Sequence, residues 1–359
     1  MEGNKKQGGK QMKKQAIGQG SIFELTGVPS FKQAFPLALQ HVVAMIVGCV
    51  TPAIIVGGAA ESQGITGADK VILIQAALLT AALSTLLQLF CIGKTDGLRL
   101  GSGLPVIMGV SFAYVPSMQA IAGDMGVGAI FGATIVGGFI AIIVGIFIKK
   151  IRPLFPPLVT GTIVFSIGLS LYPTAINYMA GGTSSPDYGS AKNWLIALLT
   201  LAVVTALNHF AKGTLKLLSI LIGIAVGYVV SLACGMVDFE SIRTAGAVQF
   251  PQIMHFGIEF EPSACAAIGI LFAINSIQAI GDFSATTVGS MNREPKDDEL
   301  QGGILGYGVM NILCSFFGGL RTATYSQNVG IVTTTKVINR CVLGLSAVIL
   351  LIAGILPKF

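Results

Sequence analysis

Thr322-Ala-Thr-Tyr-Ser-Gln-Asn-Val-Gly-Ile-Val-Thr-Thr-Thr-Lys336 lies in a largely apolar region, but it is too polar to cross a membrane as an ordinary helix. A second stretch has the same character: Gly101-Ser-Gly-Leu-Pro105, continuing Val-Ile-Met-Gly-Val-Ser-Phe112. Both are rich in β-branched residues and interrupted by Gly or polar side chains. Backbone that is not helical carries free N–H and C=O groups, which lipid cannot satisfy. Such a segment must be buried in protein or line a cavity.

The rest of the chain explains why lipid is the reference solvent. Hydrophobic residues make up 53% of the 359 and charged residues only 11%, against about 25% charged in an average soluble domain. The 46 glycines fit closely packed membrane helices. Apolar runs fall at 34–57, 70–92, 104–118, 127–148, 157–177, 193–211, 217–238, 263–281, 302–319, 327–337 and 340–357. All but the third and tenth are read as crossing helices. With the N-terminus placed in the cytoplasm, the inside loops hold 17 Lys and Arg and the outside loops 5, the latter including Lys70, Lys192 and Arg321. The reading is a multi-pass cell-membrane protein in a lipid bilayer. The net charge of +6 then reflects lysines flanking the membrane, not a nucleic-acid partner. No cleavable signal peptide is expected, because the polar head is too long. The stretch from Asp238 to Pro262 could hold an amphipathic helix on the outer surface.

If the chain repeats every seven spans, the third and tenth runs are equivalent, and the two copies run in opposite directions. Interrupted segments at matching places in two inverted halves point to a transporter's substrate site, although two unrelated Gly-rich kinks would give the same pattern.

Polar side chains inside the spans form three sets. Gln40-His41 lies in the first. Asn275, Gln278 and Asp282 lie at i, i+3 and i+7 in the eighth, on one helical face. Gln327-Asn328 lies in the tenth. Each has a plain reading: a packing histidine, an asparagine tying helices together, amides satisfying loose backbone. Asp282 resists such a reading, because a buried carboxylate needs a donor or a proton. The six cysteines lie in or beside apolar runs without metal-ligand spacing. Neither a metal site nor a cofactor is expected. The sequence contains no nucleophile–base arrangement or phosphate loop, so an enzyme is not expected either.

These residues resemble the signature of the nucleobase–ascorbate transporter family, the xanthine and uracil permeases. Gln327-Asn-Val-Gly-Ile-Val-Thr-Thr-Thr-Lys336 is similar to that family's Q/E-N-x-G-x-x-x-x-T-R/K. Gln40-His41 resembles its Q-H motif, and Ile277-Gln-Ala-Ile-Gly-Asp282 its I-E-A-x-G-D element. Leu154-Phe-Pro-Pro-Leu-Val-Thr-Gly-Thr162 resembles the start of its fifth span. The resemblance runs over about residues 25–357.

It implies an all-α polytopic fold of seven plus seven inverted segments, with short β-strands in segments 3 and 10. A basic tail (1–33) would precede the first part of a core domain (34–148). The first part of a gate domain (149–238), an extracytoplasmic loop (239–262) and the second part of the core (263–359) would follow. Gate segments 12–14 would be missing, so a non-transporting remnant is an alternative, as is an anion carrier or channel of the same architecture. Extended stretches near Val106–Phe112 and Thr324–Gln327 would lie side by side.

The resemblance also implies the chemistry. A primary amide offers donors and an acceptor in one plane. Gln327 would therefore pair with the lactam edge of an oxopurine such as xanthine or urate, with Gln278, Ser326, Ser111 and Phe112 completing the nucleobase site. Asn328, Gly330, Gln40 and Asn275 would brace it. Two family carboxylates fall here on Gln278 and on Tyr307 of Gly302-Gly-Ile-Leu-Gly-Tyr-Gly308. Asp282 and His41, as a pair, remain to couple transport to a cation, proton or sodium, in an elevator-type cycle. A homodimer is compatible with this reading.

Overall fold

The computed structural model describes residues 21–93, 99–151, 157–182, 185–212, 214–237, 248–249 and 252–356. The basic tail before residue 21, the Leu154–Pro156 part of the fifth-span motif and most of the loop at 238–251 lie outside these residues.

Helix α1 (Phe31–Ala59) buries Ala34, Ala38, His41, Val42, Met45, Cys49, Ala53 and Val56, a stripe at helical spacing that sets its inward face. A single 3-10 turn (Ala60–Gln63) and a left-handed Gly64 (φ 87°) turn the chain. Helix α2 (Gly67–Leu89) opens on a reciprocal cap. Asp69 N–H donates to Thr66 Oγ1 (3.3 Å), and Thr66 N–H donates to Asp69 Oδ2 (2.8 Å). The pair β1 (Ile92–Gly93) and β2 (Arg99–Leu100) follows, then β3 (Met108–Val110). Helices α3 (Val115–Met125), α4 (Val127–Ile146), α5 (Ile148–Ile151), α6 (Pro157–Ser170), α7 (Tyr172–Met179), α8 (Ala191–Phe210), α9 (Thr214–Leu217) and α10 (Ser219–Ala233) come next. The chain continues through α11 (Pro262–Met291), α12 (Asp297–Phe316), β4 (Thr322–Thr324), α13 (Ser326–Thr335) and α14 (Arg340–Ile355).

The two interrupted runs meet. Strand β3 pairs antiparallel with β4, with Met108 opposite Thr324, Gly109 opposite Ala323 and Val110 opposite Thr322. All six residues are buried, so the outer backbone groups need partners from neighbouring helices. Thr85 Oγ1 accepts from Met108 N–H (3.0 Å) and lies 3.1 Å from Met108 O. Asn311 of α12 accepts from Thr322 N–H (2.9 Å) and donates to Thr322 O (3.1 Å). Ser84 and Thr322 hydroxyls lie 3.0 Å apart. The polar residues of α2 and α12 thus supply hydrogen bonds that a lone two-stranded ribbon lacks. The extended part of the tenth run is Thr322–Thr324, earlier than the expected Thr324–Gln327, because Ser326 and Gln327 already belong to α13.

Helix α4 packs on α11 and α12, while α14 packs on α1 and α2. Glycine sets the α4–α12 distance: a Cβ at Gly308 would stand 2.7 Å from Gly138 O, and one at Gly138 would stand 2.9 Å from Gly308 O. Such small-residue contacts are typical of helices packed in lipid. Five described helical segments are long and apolar enough to cross a membrane, among them Phe31–Gln63 and Pro262–Met291. Others are broken: the run at 157–177 divides into α6 and α7. Helix α8 pairs with α10 but is otherwise exposed, with only 6% of its most apolar window buried. An apolar helix so exposed is suited to lipid, not water. One assignment changes: Arg321, counted among outside-loop charges, is 0% exposed and lies inside the bundle.

Candidate functional site

Helix α11 carries the site's charge. Its polar face holds Asn275 (2% exposed) and Asp282 (8% exposed), with Gln278 half-buried between them. Asp282 Oδ2 accepts from Thr324 Oγ1 (2.5 Å), and its Oδ1 accepts from Ser326 Oγ (2.9 Å). One carboxylate therefore bridges the end of β4 and the first residue of α13. The N-terminal end of α13 carries partial positive charge, which favours an anion there. Gln278 neighbours the same carboxylate from one turn back, and its Oε1 has no hydrogen-bond partner.

Ser326 and Gln327 are exposed where α13 begins, whereas Thr324 and Tyr325 just before them are buried. The start of α13 therefore opens onto accessible space. On the opposing strand, Ser111 N–H donates to Arg321 O (2.9 Å), and half-buried Phe112 opens a 3-10 turn (Phe112–Tyr114). Beyond Phe112 lies a cavity of about 480 Å³ lined by Ala113, Ile274 and Leu271 and, from α6, by Leu158, Val159, Thr162, Ser166 and Ser170. Gln278, Asp282 and Gln327 are not in its wall.

The expected pairing of Asp282 with His41 is not formed. His41 (1% exposed) is engaged by Asn328 instead: Asn328 Nδ2 donates to His41 Nδ1 (3.0 Å) and to His41 O (3.3 Å). These bonds tie α1 to α13. They leave Asp282 to its hydroxyl donors. Gly330 lies in α13 with open space where a Cβ would stand, and its carbonyl accepts from Thr333 Oγ1 (3.0 Å). Gln40 Nε2 and both polar atoms of Asn275 lack hydrogen-bond partners.

Two features escaped the sequence reading. From the sequence Thr324 is only a β-branched residue of a broken run, and no local pattern marks it as Asp282's donor. The second is a buried group around Arg321. Its Nε donates to Thr134 Oγ1 (2.8 Å), its guanidinium lies 4.9 Å from the Tyr114 ring centroid, and the Tyr114 and Tyr307 hydroxyls are 2.6 Å apart. An arginine between Gly-Gly-Leu and a short extended run carried the signal, but it also fits an ordinary loop.

On the cytoplasmic side of the orientation read from the sequence, Arg293 forks onto Glu299, Nη1 to Oε2 at 2.8 Å and Nη2 to Oε1 at 2.6 Å. Glu299 Oε2 also accepts from Lys296 N–H (2.9 Å). Partial burial works against this carboxylate, but the guanidinium and the backbone donor outweigh it and hold Glu299 below its usual value.

Apolar helices around two broken segments, paired through β3 and β4 beside a buried carboxylate, are the architecture of an integral membrane protein. The chain matches the xanthine/uracil permease model, described as Permease family, over residues 32–359, and it belongs to that family, the nucleobase–ascorbate transporters. It is 35% identical over 326 residues to a putative purine permease of Clostridium perfringens, covering 89% of this chain and 69% of that one. It is 33% identical to the xanthine permease of Bacillus subtilis (91% and 73% covered) and 36% identical to a uric acid permease of the same organism (92% and 72%). Its fold is similar to the transmembrane domain of the cyanobacterial bicarbonate transporter BicA, with TM-score 0.56 at 17% identity (89% and 86% covered). It is also similar to SLC26A9, with TM-score 0.53 at 14% identity (88% and 56% covered). At such identities these two inform the fold alone.

Proposed function

We propose that this chain is a nucleobase permease whose substrate is an oxopurine of the xanthine or urate class. The observation that carries the reading is the junction of β4, α13 and α11. There Gln278 keeps a carbonyl oxygen without a partner, Ser326 bonds to Asp282, and Gln327 follows it, exposed at the start of α13. Two amides and a hydroxyl around a carboxylate match the alternating N–H and C=O edge of an oxopurine. A ring entering from the cavity beside Phe112 would lie against that side chain. The names of the relatives, purine, xanthine and uric acid permeases, support the same class.

In this proposal residues 34–148 and 263–359 form a core that carries the site, and 149–238 belong to a gate against which it moves, within a seven-plus-seven inverted repeat. The N-terminus is cytoplasmic, and the cycle is elevator-type alternating access. Asp282 is the group whose protonation or sodium binding would couple transport, through Thr324 and Ser326 rather than through His41. Equilibrium binding of radiolabelled xanthine, urate, uracil and bicarbonate to the purified protein tests this reading. Saturable binding of the oxopurines ahead of uracil is expected. Binding of bicarbonate with none of the oxopurines overturns it in favour of an anion carrier.

A further inference from the structure

Arg321 is the largest fully buried side chain among the described residues. A guanidinium stays charged in a protein, so burial cannot be relieved by losing a proton. Its nearest polar contacts are neutral. Nε is satisfied by Thr134, and the plane rests against the Tyr114 ring, whose hydroxyl is bonded to Tyr307. Phe272 closes the group, with ring centroids 5.3 Å from Tyr114 and 5.4 Å from Tyr307. Arg321 Nη1 and Nη2 have no hydrogen-bond partner, and the Asn275 side chain lies at the Tyr114 hydroxyl.

No described carboxylate forms an ion pair with Arg321. Asp282 is the buried acid on an adjoining element, but it binds Thr324, three residues further along the chain, which is roughly 10 Å in extended backbone. An aromatic face compensates a desolvated cation only in part, and water would satisfy the N–H groups but leave the charge. A buried charge without a counter-charge is strongly unfavourable. Two unpartnered guanidinium nitrogens beside aromatic rings match a small, singly charged, weakly hydrated ion.

We infer that Arg321 holds a small monovalent inorganic anion of the chloride class, bound by Nη1 and Nη2 beside Asn275 and distinct from the oxopurine site at Asp282. The anion is a fixed structural counter-ion, not cargo. A carboxylate introduced at Tyr307, across the Tyr114 hydroxyl, would do internally what the anion does from solution.

The test is thermal unfolding of the purified protein in lipid nanodiscs, without purine, in sodium chloride, sodium bromide and sodium gluconate at equal ionic strength. Saturating halide is expected to raise Tm by roughly 5 °C over gluconate, as binding restricted to the folded state requires. Arg321→Gln should remove the difference. Tyr307→Asp should give a folded protein whose Tm is the same in all three salts, which covers the case in which Arg321→Gln does not fold. Bromide-soaked crystals should show an anomalous peak within about 3.5 Å of the guanidinium nitrogens. Equal Tm in chloride and gluconate for the unmodified protein, a halide effect that survives Tyr307→Asp, or a bromide-free cluster would overturn the inference.

Discussion

Thr324 donates its hydroxyl proton to Asp282 at 2.5 Å, so the end of β4 is tied through one carboxylate to a helix 42 residues away in sequence. Movement of β4 relative to α11 has to break or carry this bond. Thr324→Val removes a donor from a buried carboxylate and should destabilise the protein by about 1–3 kcal/mol, measured as a lowered unfolding midpoint. Asp282→Asn should keep the fold and lose ion-coupled uptake. An uptake rate that Asp282→Asn leaves unchanged would rule out this residue as the coupling site.

Gln278 stands one helical turn from Asp282, at the place where the I-E-A-x-G-D element that this stretch resembles has its glutamate. With a single carboxylate on that face, uptake should vary little with external pH between about 5.5 and 8, the span over which histidines and perturbed carboxylates titrate. Gln278→Glu adds a second carboxylate that titrates together with the first. An acid-stimulated component should then appear in initial rates measured across that range, and Asp282→Asn should remove it.

Gln327 is exposed at the start of α13 and has no structural hydrogen bond among those described. Gln327→Ala should therefore leave stability nearly unchanged while weakening oxopurine binding by about 1–3 kcal/mol, the cost of unpaired buried substrate groups. Gln327→Glu should hurt purines more than uracil, because an ionised carboxylate only accepts. Competition binding with xanthine, urate and uracil checks the order; equal losses for every base would make the residue structural.

Glu299, held below its usual value mainly by Arg293 against the opposing effect of burial, gives a pH signature outside the spans. A depressed carboxylate contributes stability that is complete above its unfolded-state value, about 4.3. That contribution is lost as pH falls through the lower folded-state value. Glu299→Gln should lower Tm at pH 7, and the gap to the parent should close in acid. A gap independent of pH would mean that the ion pair is not its source.

Gly308→Ala places a methyl 2.7 Å from Gly138 O, and helix backbone cannot rotate away as a side chain can. The α4–α12 pair must separate, at a cost of about 1–3 kcal/mol for overpacking. Gly330→Ala, with open space around it, should cost far less. Unfolding midpoints of the two variants, measured side by side, check the contrast.

Local sequence determined a good deal of this protein. Charge scarcity and apolar length made it a membrane chain. Helical spacing put Asn275, Gln278 and Asp282 on one face, and the Gly- and Thr-rich runs marked where helix would fail. These properties follow from neighbours along the chain and from the solvent alone. Only the tertiary structure decided which partner each polar group takes. Asp282 turned to Thr324 rather than His41, and His41 to Asn328. Arg321 went inside the bundle although its flanking residues allow a loop. The physical reason is that a buried hydrogen bond depends on distance in space. The β3–β4 pairing brings together residues more than two hundred positions apart, a proximity that no spacing along the chain records.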